Sequence, residues 1–263
     1  MDSKIQLGVS LFSFAIDIQR QKLSLEECVR IVSELGFEGV EIIDPQMLSG
    51  CIQPSDAWGD EFLRLLEKYR MDPFCYSTSS DIEFRRDMCL AGDEIIRFMI
   101  NKMLYAKRLG FPYVSVPHAI SPLILEKLIP YAEECGIWLG VEMLRLHKVN
   151  DPIWQEYIEL FERSSSEHIG IIPDIGMFQT EPLEDLRMLI PYSRYMHSKF
   201  HNIGEKPIDH CVPCDRILPY LQRNGFCGYI TSIHESQDCE DGADSAEQLK
   251  RHIIMEKQIL KYK

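Results

Sequence analysis

Four stretches of the chain repeat one order of apolar and polar positions. EECVRIVSELGFEGVEII (26–43), INKMLYAKRLGFPYVSV (100–116), LEKLIPYAEECGIWLGVEM (125–143) and RILPYLQRNGFCGYITS (216–232) each open with apolar residues at helical spacing, reach a glycine, and end in a short β-rich run. Gly36, Gly110, Gly136 and Gly225 stand where a helix would close in a left-handed cap. The runs after these glycines are short and apolar on both faces, as in strands buried within a parallel sheet.

Extending this rhythm predicts strands near 5–11, 39–43, 73–77, 112–116, 137–142, 169–174, 194–200 and 228–235. Helices are predicted near 25–35, 56–70, 91–109, 122–135, 152–163, 183–190, 213–224 and 244–261. Strand and helix alternate eight times with no linker-like stretch, which implies parallel strands joined by helices. The competing architecture, an open doubly wound sheet, would carry a glycine-rich phosphate loop after an early strand, and no G-x-G-x-x-G or P-loop pattern occurs. The expectation is α/β: one (β/α)8 TIM barrel domain over 1–263.

RYMHSKFHNI (194–203) departs from the simple apolar strand. His197, Lys199 and His201 fall at alternate positions and so leave one face of an extended chain, with Met196, Ser198 and Phe200 on the other. An amphipathic edge strand is one reading. The other is a strand that aims titratable groups into a site.

In a barrel the catalytic groups sit at the C-terminal ends of the strands. The second predicted strand ends with Glu41 and Asp44, the fourth with His118, and the fifth with Glu142, Arg145 and His147. The sixth ends with Asp174, the seventh carries its three basic residues, and the eighth ends with His234 and Glu235. Asp44 and Asp174 have an alternative role as helix caps, and His118 as a hydrogen-bonded loop residue. Phe12 and Phe14 after the first strand are candidates for stacking on a ring or for packing under the loops, whereas Trp58 and Trp154 sit in helical surroundings and are assigned to the core. Glu142, Asp174, His197 and Glu235 form the set that asks for more. Carboxylates crowded into one mouth repel and raise one another's pKa, and a divalent cation removes that penalty. Two or three carboxylates with one imidazole suit Mn²⁺ or Mg²⁺, and also Zn²⁺, with open positions for substrate oxygens.

Composition narrows the partners. The 263 residues are 45% hydrophobic and 26% charged, ordinary for a globular chain. Lys plus Arg is 28 against 41 Asp plus Glu, a net charge of −13 that repels a polyanion and argues against nucleic acid. No apolar run approaches the ~20 residues of a membrane span. The nine cysteines are odd in number and the opening MDSKIQLGVS has no export-signal pattern, so reduced thiols in a cytoplasmic protein are expected. Cys211-Val-Pro-Cys214 is a lone C-x-x-C without a second ligand pair at zinc spacing.

The order of these segments resembles the xylose isomerase-like TIM-barrel superfamily, in its sugar phosphate isomerase/epimerase branch, within the clan that includes the family 2 abasic-site endonucleases. LGVSLFSF and LSLEECVRIVSELGFEGVEIIDPQML resemble its first two strands, GVEM the fifth, IIPDIGMF the sixth, MHSKF the seventh and NGFCGYITSIHE the eighth. The resemblance implies a metal held by Glu142, Asp174 and His197, with Lys199 facing substrate. It also implies a strand-eight ligand five residues after the glycine of the G-Y pair, and Ile233 stands there. Glu235 lies two residues on, on the same strand face about 6.5 Å further along. Histidines often found two residues after the strand-five Glu and three after the strand-six Asp are Leu144 and Met177 here.

The activity this resemblance implies is metal-dependent proton transfer next to a carbonyl of a sugar or sugar derivative, giving isomerisation or epimerisation. Glu142 or Glu235 would move the proton, with His147 in reserve, and Lys199 would face the sugar oxygens. A leaving group β to the carbanion would turn the same step into elimination, and subunits that cleave C-glycosides resemble this branch. A degenerate sugar-binding barrel is the non-catalytic alternative, motivated by Ile233, Leu144 and Met177. An abasic-site endonuclease would need further histidines and a basic face. The implied partners are a small-molecule sugar and, for assembly, a further copy of the chain or a second kind of subunit.

Overall fold

A computed structural model describes residues 4–44, 54–78, 92–117, 120–143, 149–177, 182–201, 203, 213–235 and 244–261. Among these residues, eight strands alternate with helices. The strands are β1 (Gln6–Ser10), β2 (Gly39–Asp44), β3 (Asp72–Thr78), β4 (Tyr113–Val116), β5 (Trp138–Glu142), β6 (Ile169–Ile172), β7 (Tyr195–Phe200) and β8 (Tyr229–His234). The helices are α1 (Ala15–Gln19), α2 (Leu25–Leu35), α3 (Asp56–Tyr69), α4 (Gly92–Arg108), α5 (Pro122–Cys135), α6 (Pro152–Ser164), α7 (Pro182–Leu189), α8 (Cys214–Arg223) and α9 (Ser245–Ile259).

Each expected strand and helix is present within a few residues of its predicted bounds. The structure adds a 3-10 turn at Leu11–Phe14 that runs into α1, where the sequence pattern suggests only the end of the first strand. Phe14 packs wholly into the core from this turn and Phe12 is half-buried. Trp154 is buried, and Trp58 packs half-buried against the same core. The helices start and stop for local reasons. Ser24 accepts from the Glu27 amide while Glu27 reaches back to the Ser24 amide, a reciprocal cap worth about 1 kcal/mol. Gly36, Gly110, Gly136 and Gly225 all adopt positive φ between 69° and 85°, which glycine reaches without a Cβ penalty.

All strand pairs are parallel, in the order β6-β5-β4-β3-β2-β1-β8-β7. The two ends of this order meet at a narrow seam. Asp174 bridges to His197, and the His197 amide donates to the Pro173 carbonyl at 2.9 Å. Strand β6 stops at Ile172 because Pro173 offers no amide and Asp174 turns into a 3-10 segment at Ile175–Met177. The ladder is then continued by a side chain: the Lys199 amide lies 3.3 Å from Asp174 Oδ1. A methyl on Gly176 would lie 2.2 Å from the Lys199 carbonyl oxygen, so the turn and β7 touch backbone to backbone.

Two apolar layers result. The larger fills the space between the strands and the helices. The smaller comprises Phe74, Cys75, Trp138, Ile172, Tyr195 and Tyr229 and lies on the Tyr195 face of β7. Phe74 stacks on Tyr229 with ring centroids 4.3 Å apart, and Tyr113 stacks on Tyr195 at 5.7 Å. An irregular register between β2 and β3, where Val40 pairs with Pro73 but Glu41 with Cys75, lets the sequence neighbours Phe74 and Cys75 share this layer. Most of these rings sit near the strand N-termini, so they form a floor beneath the opposite end. Among the described residues no helix is long and apolar enough to cross a membrane, and Cys28, Cys75, Cys135, Cys214 and Cys227 are free thiols.

Candidate active site

Strand β7 builds the site above this floor. Its alternate residues Tyr195, His197 and Lys199 climb one face, from the aromatic layer to the mouth. The other face is also buried: Met196 lies in the outer core, Ser198 contacts His252, and Phe200 stacks on the His252 ring at 4.0 Å. An amphipathic edge strand is therefore the wrong description of β7. Both faces are used, the inner one for charge.

His197 is clamped between two carboxylates. Its Nε2 is 3.2 Å from Glu41 Oε1, and its Nδ1 is 3.1 Å from Glu142 Oε1, the latter without the alignment of a hydrogen bond. Burial alone would push the imidazole pKa down, but Glu41 first and Glu142 next reverse this and carry it up to about 10. The two carboxylates thus favour the charged ring, which must give up its Nδ1 proton for any ion to bind there.

Lys199 sits one step higher. Its Nζ is 2.8 Å from Glu142 Oε1, 3.4 Å from Glu235 Oε1 and 3.6 Å from Asp174 Oδ2. Burial opposes its charge, yet Glu142, Asp174 and Glu235 together raise its pKa above the ordinary lysine value. Asp174 does two jobs. Its Oδ1 accepts from the Gly176 amide at 2.9 Å, capping the 3-10 turn, while Oδ2 faces the ammonium without a hydrogen bond. Burial raises its pKa to about 6 despite Lys199, and Glu142 pushes the same way.

Four carboxylates thus surround two cations at the C-terminal mouth of the barrel. Glu41, Glu142, Asp174 and His197 are almost fully buried, whereas Lys199 and Glu235 reach the surface with side chains 15% and 33% exposed. Ile233 is buried beside Lys199 in the β7–β8 register, and Glu235 one turn of the pleat further on is the acid that reaches the cluster. His201 donates from Nδ1 to the Glu235 carbonyl and ties the two strand ends together. His234 points away from this cluster, with Nδ1 3.2 Å from Ser245 Oγ. His118, Arg145, His147, Leu144 and Cys211 lie outside the described residues, as do the side chains of Asp44 and Met177.

A family model described as xylose isomerase-like TIM barrel matches residues 29–254. The chain belongs to this family. Among curated members, the 3'-dehydrocarminate deglycosidase alpha subunit of Microbacterium sp is 33% identical over an alignment covering 88% of each chain. A C-glycoside deglycosidase alpha subunit of Arthrobacter globiformis is 24% identical, with 87% of this chain and 83% of that one covered. In solved structures, D-psicose 3-epimerase from Clostridium cellulolyticum H10 superposes with a TM-score of 0.75 at 14% identity, covering 97% of this chain and 99% of that one. A protein of Parabacteroides distasonis ATCC 8503 gives 0.68 at 18% identity, covering 97% and 98%. At such identities the superpositions speak for the barrel alone.

For a xylose isomerase-like barrel the question of a metal can be put to the donors themselves. Among the described residues no three His, Cys, Asp or Glu side chains stand ready to hold an ion. The Lys199 ammonium lies within 3.6 Å of Glu142, Asp174 and Glu235. The chemistry of the set nevertheless suits a divalent ion. It offers carboxylate oxygens and one imidazole, and the Nε2 of that imidazole is held by Glu41, as the far nitrogen of a metal-bound histidine requires. Glu41 is the residue that strand-end position alone did not bring into the chosen set. Its place at the end of the second strand was legible, but its pairing with His197 spans 156 residues and needs the closed barrel.

Proposed function

We propose that this chain removes a proton beside a carbonyl of a sugar derivative and that the resulting anion expels a carbon-linked aglycone. The similarity at 33% identity over 88% of both chains to a deglycosidase alpha subunit for a dehydro C-glycoside carries this reading. The charge cluster supports it. A carboxylate takes the proton from the carbon between the ketone and the anomeric carbon, and the C–H electrons move into an enolate. Those electrons return to form a carbon–carbon double bond as the bond to the aglycone breaks, and the aglycone carbon leaves with that pair and takes up a proton. The ketone is already present in the substrate, so no oxidant is needed.

Glu142 is the proposed base. It is buried and held between His197 and Lys199, whose positive charge would offset the enolate charge as it develops. Glu142, then carrying that proton, would deliver it to the departing carbon, with Glu235 at the half-exposed rim as the alternative donor. A divalent ion such as Mn²⁺, Mg²⁺ or Zn²⁺, when bound by Glu142, Asp174, His197 and Glu235, would supply Lewis-acid polarisation of the carbonyl. The aromatic floor closes the far end of the barrel and keeps water from entering beneath the cluster.

The same first step, followed by reprotonation on the opposite face, would give epimerisation. Because the relatives are called alpha subunits, assembly with a second kind of subunit is proposed as well. Free thiols among the described cysteines support a reducing, cytoplasmic setting.

Incubation in D₂O with a C-glycoside bearing a ring ketone tests the reading. Free aglycone together with a sugar product that has lost the hydrogen beside the ketone is the expected result. Exchange with an inverted sugar and no aglycone would favour the epimerase outcome, and neither exchange nor release, with or without added metal, would sink both.

A further inference from the structure

We propose that the Lys199 ammonium is the resident cation of the barrel mouth and that a divalent ion enters the Glu142, Asp174, His197 and Glu235 set only by displacing it. This rests on the metal part of the reading above, and it concerns the occupant of the site and not the reaction.

The geometry gives the competition. Three carboxylates that would ligate an ion all lie within 3.6 Å of one nitrogen, Lys199 Nζ, the nearest at 2.8 Å. An ammonium and a divalent ion cannot share that space, because two cations at about 3 Å repel strongly even at an effective dielectric constant near 20. Nor does the lysine sit there by chance of rotamer. Its backbone amide meets Asp174 Oδ1 at 3.3 Å, and its carbonyl is pressed against Gly176, so the stem is launched from a fixed point.

Charge explains why the seat is nonetheless open to exchange. Among the described residues, the acidic side chains Glu41, Glu142, Asp174 and Glu235 outnumber the two basic ones, His197 and Lys199. Lys199 is also the cluster's cation nearest solvent, with a 15% exposed side chain on four flexible carbons, whereas His197 is locked between its partners. Withdrawal toward the mouth is therefore the available motion. It vacates the donors and moves the ammonium to where a bound sugar would lie.

Mn²⁺ binding to chelator-treated protein, followed by electron paramagnetic resonance of the free ion, tests the displacement in wild type, Lys199→Met and Lys199→Gln. Circular dichroism confirms which variants fold. The expected result is binding at least ~10-fold tighter in the folded variants, a shift of about 1.4 kcal/mol. Equal or weaker binding in both variants overturns the displacement while leaving the metal reading intact. No binding of Mn²⁺, Mg²⁺ or Zn²⁺ to any folded form overturns both. A measurement on wild type alone covers the case in which neither variant folds. Titration with Zn²⁺ should move the NMR signal of the Lys199 side-chain ε-carbon as the ion binds, and an unmoved signal at saturation overturns the proposal.

Discussion

Replacing Glu256 by glutamine should abolish a pH-dependent weakness on the outer side of β7 and β8. Glu256 and His252 lie one turn apart on α9, both buried, and meet two strand serines. Ser232 Oγ lies 2.9 Å from His252 Nδ1 and donates to Glu256 Oε2 at 3.1 Å, while Ser198 Oγ is 3.4 Å from His252 Nε2. Burial raises the Glu256 pKa to about 8, against the lowering effect of its hydrogen bonds to Ser232 and Ser198 and of the charge on Lys257. Burial also drives His252 down to about 3, with His234 on β8 adding to the effect, so the histidine brings no compensating charge.

The sign comes from proton counting. The unfolded chain ionises Glu256 near the ordinary glutamate value of 4.5, whereas the folded chain keeps the proton until about pH 8. Stabilisation is complete below the lower value and is lost as pH rises toward the upper one. Between pH 5 and 7 the slope of about 1.4 kcal/mol per unit makes the loss on the order of 3 kcal/mol. For a chain of this length that corresponds to ~5 °C in Tm. The assay is urea or thermal unfolding of wild type and Glu256→Gln across pH 5–8. The amide cannot ionise, so the variant should gain on wild type steadily as pH rises. Parallel curves, or a gap that closes with pH, would refute the assignment of a buried neutral acid to this position.

Three further outcomes bear on the mouth. Glu41→Gln removes one of the anions holding His197, and the imidazole pKa should fall by on the order of 2 units, read by NMR titration of metal-free protein; an unchanged value would show that Glu142 alone holds the proton. Gly176→Ala must push β7 away from the 3-10 turn by roughly 1 Å to relieve the contact with the Lys199 carbonyl, at a cost of about 1–3 kcal/mol, checked by thermal unfolding; an unchanged Tm would mean that the seam is looser than its distances indicate. Glu142→Gln should lower aglycone release at least ~100-fold while the protein stays folded, and retained release would move the base to another residue.

The elements were legible in the sequence because their signals are local. A glycine at φ near +75° ends a helix wherever it falls, and a short apolar run after it has little choice but to join the sheet. The turn at Leu11–Phe14 and the five-residue α1 were not legible because pieces so short show no periodicity, and LFSF continues the apolar run of β1 without a break. The period-two argument placed His197, Lys199 and Glu235 toward one region, and the structure brings Lys199 and Glu235 into contact. What no local pattern could convey is the occupant of the centre. Whether carboxylates gather around an ion or around a lysine depends on Cβ directions from β5, β6, β7 and β8 at once, and on the clamp that β2 supplies through Glu41.

Asp174 and His197 also form the sole bridge between β6 and β7 among the described residues, so the hoop is fastened by the residues that carry its charge. Replacing Asp174 therefore loosens the fastening as well, because its Oδ1 also takes the Gly176 and Lys199 amides. A lineage that discarded the charge cluster could not keep the barrel equally tight by leaving Asp174 to drift. An engineer who wishes to silence the site without slackening the cylinder should alter the ammonium or the rim acid and leave the clasp alone.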